Sequence, residues 1–335
     1  MTEARADDGG GALRVAVVVI GRNEGLRLER CLRSVADQAA ALVYVDSGST
    51  DDSVAKARAC GAVVVELDTR EPFTAARARN VGFAAVRESF PSLEFVQFVD
   101  GDCEVVAGWI SGAASFLAAH GDVAVACGRR RERFPDASIY NRLCDIEWDT
   151  PIGEARACGG DALMRSVALA SVGGFRAGLI AGEEPELCVR LRAAGWRVWR
   201  LDLDMTLHDA AITRFSQWWR RTKRSGFAFA EGAGLHGGPP ERHWVREARS
   251  AQIWGAIIPA LVLAAAVALG PRALLGLLVY PLQFTRLTWK GTGSLSTRTL
   301  KAFFLLLGKF PEAAGVLSFH ARRLVGQRAR LIEYK

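Results

Sequence analysis

Two rhythms of apolar and polar residues take turns along the front of this chain. Val15 to Ile20 is an unbroken, mostly β-branched apolar run closed by Gly21, the pattern of a strand buried on both faces. From Glu24 to Ala36 the apolar positions include Leu26, Leu28, Leu32 and Val35, a spacing that suits a helix with one buried face. The exchange then repeats. A strand is predicted over Ala41–Val45, a helix over Ser49–Ala59 with Asp51 and Asp52 in its first turn, and a strand over Ala62–Leu67. A helix follows over Thr74–Ser89, then a strand over Phe95–Val99 cut off by Asp100-Gly101-Asp102. Gly108–His120 reads as a helix and Val123–Cys127 as a strand, trailed by a basic cluster over Arg129–Arg133. Glu184–Ala194 is a helix stopped by Gly195, and Trp196–Leu201 a strand. Such alternation predicts an α/β sheet with ligands gathered at the carboxyl ends of its strands.

The tail changes character. Ala251–Gly270 carries no formal charge over a length that crosses the hydrocarbon of a bilayer. Ala273–Trp289 is mainly apolar but contains Arg286, and a third apolar stretch over 302–320 is broken by Lys309, Pro311 and Glu312. Arg242, Arg246 and Arg249 precede the first segment, while Lys290, Arg298 and Lys301 follow the second. Basic residues at both outer ends match a hairpin that enters a membrane and returns, with the third segment lying in the interface. Buried core helices are the other reading of the same runs; the coincidence of charge-free length and basic flanks favours membrane. The expected organisation is a disordered leader (1–12), a front domain (13–230), a basic linker (231–250) and membrane-associated helices (251–335).

Charge sharpens this division. The 335 residues are 50% hydrophobic and 24% charged, which excludes a disordered or collagen-like chain, and the net charge is +7. Residues 242–335 hold 14 basic and 3 acidic side chains, so the rest of the chain is net negative. An acidic front with a basic, apolar tail is not a nucleic-acid binder and points to a membrane surface. The 7 cysteines are scattered without a Cys-x-x-Cys pair, as in reduced cytosolic proteins. Met1–Gly11 has no apolar run and is not a signal peptide, which leaves the front domain on the cytosolic side.

Several segments carry candidate chemistry. Asp100 and Asp102, one residue apart after a strand, can hold a divalent cation such as Mg²⁺ or Mn²⁺, although Asp-Gly-Asp is also an ordinary turn. Asp46 ends a strand and can accept hydrogen bonds from a base or ribose, or close its own turn while Ser49 or Thr50 caps the next helix. Gly21-Arg22-Asn23-Glu24 ends the first strand, where a glycine permits close approach of a ligand. Arg77, Arg79 and Asn80 can neutralise phosphate or form a solvated face. Glu183, Glu184 and Glu186 begin a helix after a glycine-containing loop; the helix dipole favours acids there, and a base for a hydroxyl is the functional version. Gln217-Trp218-Trp219-Arg220-Arg221 can bind phosphates, sugars or headgroups. His208, taken alone, suits a satisfied structural residue better than a ligand.

Taken together and in order, VVVIGRNEGLRLERCLRSV, VYVDSGSTDDSV, ARNVGFAA, FVDGDCEV, GGDALMRSVALASVGGF and GEEPELCVRLRAAGW resemble the family 2 glycosyltransferases of the GT-A fold, bacterial and membrane-associated. The resemblance covers Val15 to Arg221. It implies a Rossmann-like mixed sheet flanked by helices, with Arg22, Asn23, Glu24, Asp46, Arg79 and Asn80 near the nucleotide. It further implies Asp102 as direct metal ligand, Asp100 near ribose and metal, and His208 near the diphosphate and metal. The Gly159-Gly160-Asp161 loop would face acceptor and donor sugar. Glu183-Glu184 takes the place of a Glu-Asp pair whose second member resembles the base. Gln217, Arg220 and Arg221 resemble a Gln-x-x-Arg-Trp motif, with Arg in place of Trp. The implied activity is inverting, Mg²⁺- or Mn²⁺-dependent transfer from a nucleotide-diphosphate sugar to a lipid-linked or polysaccharide acceptor at the cytoplasmic face of the cell membrane. Asp46, Asp100, Asp102 and Glu184 should then converge on one crevice. A nucleotidyltransferase using a nucleoside triphosphate, and an inactive membrane-tethered nucleotide-sugar-binding protein, are the rival readings.

Overall fold

The computed structural model describes residues 15–326, and the expected leader over 1–12 lies outside them. Apolar runs at the front become the inner strands of a sheet. In chain order the first elements are β1 (Val15–Gly21), α1 (Leu26–Ala36), β2 (Ala41–Asp46), α2 (Ser53–Ala59), β3 (Val63–Glu66), α3 (Ala75–Ser89) and β4 (Phe95–Asp100). β5 (Cys103–Val105), α4 (Trp109–Ala119), β6 (Val123–Glu132), α5 (Ile139–Glu147), β7 (Gly153–Glu154) and β8 (Ala162–Arg165) follow. Then come α6 (Ser166–Ser171), α7 (Glu183–Ala193), β9 (Arg197–His208) and α8 (Phe215–His236). The strands form one mixed sheet in the order β3-β2-β1-β4-β8-β6-β9-β5, with β7 paired to β9. β1 is parallel to β2 and β4, whereas β8 is antiparallel to β4 and β6. Every residue from Val15 to Ile20 is buried, as expected for a central strand covered on both faces.

Two expectations shift for stated reasons. The helix expected from Ser49 begins at Ser53, because the intervening backbone is already committed: Gly48 and Ser49 N–H donate to Asp46, and Thr50 N–H donates to Asn23. Neither Ser49 nor Thr50 caps it. The strand expected over Val123–Cys127 continues through the basic cluster to Glu132, and its partner β9 runs to His208. These strands outrun the apolar core, and their polar ends wall the cleft described below.

The expected boundary at 230 falls inside α8, which runs unbroken to His236. α9 (Val245–Gln252), a π-helical turn over Ile253–Ile257 and α10 (Ile258–Leu269) form one helix of 25 residues, and none of its most apolar stretch is buried. The segment expected to span over 273–289 is not one α-helix. Pro271 opens a 3₁₀ stretch to Leu278 that folds against α10, and α11 (Val279–Lys290) follows. α12 (Leu295–Leu307) and α13 (Lys309–Leu324) make a second long helix over Leu295–Leu324, half of whose most apolar stretch is buried. The 302–320 segment, expected at an interface, thus packs in part on protein.

Glycines set that packing. A Cβ on Gly226 of α8 would stand 2.1 Å from the Glu312 carbonyl oxygen, and one on Gly315 of α13 would stand 2.1 Å from that of Lys223. The two backbones touch, so α13 is seated directly on α8. Gly315→Ala is expected to lower the thermal unfolding midpoint, by about 1–3 kcal/mol of overpacking, in spite of alanine's better helix propensity. Gly178→Ala, at a glycine with no neighbour within 4 Å, serves as the control and should not. Differential scanning calorimetry of the two variants checks this.

Candidate active site

The carboxyl ends of β1 and β4 open into a cleft of about 750 Å³. Arg22, Asn23 and Glu24 of the β1–α1 loop form one wall, and Asp100, Gly101 and Asp102 another. Glu183 and Glu184 enter from the start of α7, Arg130 from β6, His208 from the end of β9, and Arg221 and Arg224 from α8.

A charge network lies beneath. Arg79, only 2% exposed, donates to Asp100 Oδ1 at 2.7 Å and to Glu183 Oε1 at 2.7 Å. Arg130 donates to Asp100 Oδ2 at 3.0 Å and Asp161 Oδ2 at 2.9 Å, with its guanidinium 5.2 Å from the centre of the Trp148 ring. Asp161, fully buried, also accepts from Asp100 N–H and from the Thr206 hydroxyl. Burial works against ionisation of Asp100, but Arg79 and Arg130 outweigh it and hold the carboxyl well below the usual range. Gly160 must lack a side chain here, since a Cβ would lie 2.8 Å from Arg79 Nη2 and 2.9 Å from Asp100 Oδ2.

Asp102 and His208 supply a second feature. His208 Nε2 is 3.4 Å from Asp102 Oδ1, and Nδ1 faces Glu132 Oε2 at 3.6 Å. Glu132 is fixed by hydrogen bonds from Asn141, Phe134 N–H and Ala210 N–H. Burial, with Arg130 nearby, lowers the His208 pKa, so the ring is held neutral. A neutral imidazole backed by a carboxylate, beside a second carboxylate, is a donor set that fits a divalent cation.

Glu184 sits 7% exposed at the cleft. Burial pushes its carboxyl above the usual value of about 4.5, against hydrogen bonds from the Cys158 and Gly159 backbones, and Glu183 adds to the rise. α7 itself is anchored one turn on, where Glu186 binds Arg176 and Arg190 and meets His236 Nε2 of α8 at 2.9 Å.

Of the four acids expected to converge, Asp100, Asp102 and Glu184 share the cleft. Asp46 does not line it: its carboxylate is spent on Tyr44, Gly48 and Ser49, closing its own turn. Asn80 turns away too, bonding both backbone groups of Phe175. Asp161 and Arg79 buttress the cleft. Gly159 is at the surface with φ +81°, and its backbone reaches Glu184. Gln217 caps α8 by accepting from Thr213 and Arg214 N–H, and Arg220 is exposed; neither lines the cleft, whereas Arg221 does. Sequence reasoning leaves Arg130, Glu132, Trp148 and Arg224 without a role. For Arg130 the missing signal is strand length: once β6 is extended to Glu132, the basic cluster falls beside Asp100.

Residues 16–160 match the glycosyl transferase family 2 model. The chain carries a family 2 glycosyltransferase domain. Its fold is GT-A, as in the mannosyltransferase PcManGT of Pyrobaculum calidifontis in complex with GDP-Man and Mn²⁺, with a TM-score of 0.58 and 18% identity over 94% of this chain and 88% of that one. Glucosyl-3-phosphoglycerate synthase of Mycobacterium tuberculosis, in complex with Mg²⁺ and UDP, gives a TM-score of 0.50 and 21% identity over 68% and 80%. A TPR repeat-containing protein of Synechococcus elongatus is 37% identical over 76 residues, which is 23% of this chain and 19% of that relative's length.

The cleft therefore rests on two arginines held among carboxylates, Arg79 buried and Arg130 half-buried. Arg130→Met is expected to lower stability by about 3–5 kcal/mol, because Asp161 would stay buried without its cation. Urea denaturation followed by tryptophan fluorescence measures the loss.

Proposed function

We propose that this protein is an inverting, metal-dependent glycosyltransferase that moves a sugar from a nucleotide-diphosphate donor to a lipid-linked acceptor at the cytoplasmic face of the cell membrane. The observation that carries the reading is the meeting of Asp100, Asp102 and Glu184 in one cleft of a family 2 domain. Asp102 and His208 would hold Mg²⁺ or Mn²⁺, with Asp100 beside them toward the ribose. The bound cation would supply neutralisation of the charge that builds on the departing nucleoside diphosphate.

The chain's own groups do the rest. The β1–α1 loop receives the nucleotide, with Arg22 stacked 4.7 Å above the Phe73 ring. Arg79 and Arg130 keep Asp100 ionised and immobile, so the acid pair is ready before the donor arrives. Glu184 removes the proton of the acceptor hydroxyl as that oxygen attacks the anomeric carbon from the face opposite the diphosphate, which inverts configuration in one displacement. Its raised pKa makes it, once ionised, a stronger base than an exposed glutamate.

Support for a lipid-linked acceptor comes from α8. One side of this helix lines the cleft through Arg221, Arg224, Ala228 and Phe229, and α13 of the apolar tail rests on it through Gly226. Exposed Leu261, Leu263, Val267 and Leu269 on α10 give that tail a surface suited to hydrocarbon. The positive charge of residues 242–335 supports a cytoplasmic orientation. A polysaccharide acceptor at the same face would use the same chemistry.

Purified protein offered nucleotide sugars with Mg²⁺ or Mn²⁺ should release a nucleoside diphosphate; release of pyrophosphate from a nucleoside triphosphate would identify the rival chemistry. EDTA should abolish the reaction and either cation restore it. Glu184→Gln should lower kcat by roughly 10²–10⁴-fold with the fold intact by circular dichroism. Only the ionised carboxylate accepts a proton, so wild-type kcat should rise with pH through a value above the usual 4.5 and then level off, and Glu184→Gln should lack that acid limb. After cell fractionation the full chain should sediment with membranes and resist high-salt extraction; a chain recovered in the soluble fraction would count against the membrane reading.

A further inference from the structure

Two thiols flank Glu184. Cys158 precedes Gly159, and Cys188 lies one turn along α7 from Glu184; their Sγ atoms are 3.7 Å apart. Cys188 Sγ is also 3.7 Å from Glu184 Oε1, and all three ligand atoms lie within 4.8 Å of one another. Both thiols are free and buried, and the chemistry proposed above uses neither. Tetrahedral zinc holds thiolate sulfur at about 2.3 Å, which sets two sulfurs on one ion about 3.8 Å apart, and a carboxylate oxygen at about 2.0 Å then stands about 3.5 Å from each sulfur. The span between the two sulfurs and the span from Cys188 Sγ to Glu184 Oε1 lie close to those values, and the third is within 4.8 Å. Backbone N–H groups of Cys158 and Gly159 already orient the carboxylate, the outer support that ligand carboxylates need. Soft sulfur selects zinc, whereas the oxygen and imidazole donors of Asp102 and His208 suit Mg²⁺ or Mn²⁺. The two clusters therefore sort different ions.

We propose that Cys158, Cys188 and Glu184 form a zinc site with its fourth position open to the cleft, and that zinc bound there arrests sugar transfer by occupying the lone pair Glu184 offers to the acceptor proton. Each thiol loses its proton on coordination, so an ionised Glu184 gives two protons released per zinc, and no electron moves. The inhibitory half rests on the function proposed above; the binding half does not.

Cobalt(II) is the probe, added to the purified full-length protein. The expected result is a near-ultraviolet thiolate-to-cobalt charge-transfer band, abolished by one equivalent of zinc. Cys188→Ala and Cys158→Ala should each lose the band. Because even losing an outer partner costs a site about 10–100-fold in metal affinity, each should bind zinc at least about a hundredfold more weakly by competition with a chromophoric chelator. Cys103→Ala, which alters the thiol beside Asp102, should keep both band and affinity; circular dichroism confirms that each variant is folded. A band that survives both alanine variants, or that vanishes with Cys103→Ala, overturns the site. With Mg²⁺ in excess, zinc should silence the wild type at concentrations where Cys188→Ala still transfers sugar. Equal sensitivity of the two overturns the inhibitory role. Since binding is read without sugar transfer, absence of transfer would count against the proposed function and leave the zinc site standing.

Discussion

Burying a guanidinium costs several kcal/mol unless acids meet it, and this domain sets one buried and one half-buried guanidinium at its cleft. Arg79 and Arg130 are met by Asp100, Asp161 and Glu183, three carboxylates to two cations. One negative charge is left over, and Asp102 stands two residues along the chain from Asp100. That excess suits the cation proposed for the cleft, while the arginines hold Asp100 in place and keep its carboxyl well below the usual range. The same arginines join elements far apart in sequence: Arg79 links α3, β4 and α7, and Arg130 links β6, β4 and the turn before β8.

The fold supplies the meeting points. Parallel strands bring loop 22–24 and Asp100 to one edge of the sheet, and the long β6–β9 pair carries Arg130, Glu132 and His208 beyond the core to the same place. α7 arrives with its acids foremost, after Gly182 at φ +77°, a left-handed backbone that a side chain would strain. α8 then closes the far side.

Much of this is legible in the chain because local patterns dictate it. Unbroken valine runs give inner strands, and Asp-Gly-Asp after such a run gives acids at a strand end. The rest depends on what a pattern cannot carry. Asp46 and Asn80 look as polar as any ligand, yet the backbone groups of Gly48, Ser49 and Phe175 claim them, and only tertiary contact reveals those partners. Arg130 hides among neighbours of its own kind until the strand is known to extend. In the tail, composition finds the apolar runs but not how they fold: the 3₁₀ stretch that Pro271 starts runs on to Leu278, into the segment expected to span, and Gly226 with Gly315 draws α13 down onto α8.

The antiparallel pairing of β8 with β4 carries a further consequence. Phe98 sits opposite Ala162, so the departing end of one strand coincides with the arriving end of the other, and Asp161 reaches Asp100 only in that alignment. A slip of two residues preserves the inward and outward alternation, and so hydrophobic burial alone would tolerate it, but it carries Asp161 about 7 Å along the strand. Arg130 would then lose its buried counter-ion. Electrostatics thus proofreads an alignment that oiliness leaves degenerate, and a chain with β8 misaligned on β4 has no such cleft to offer.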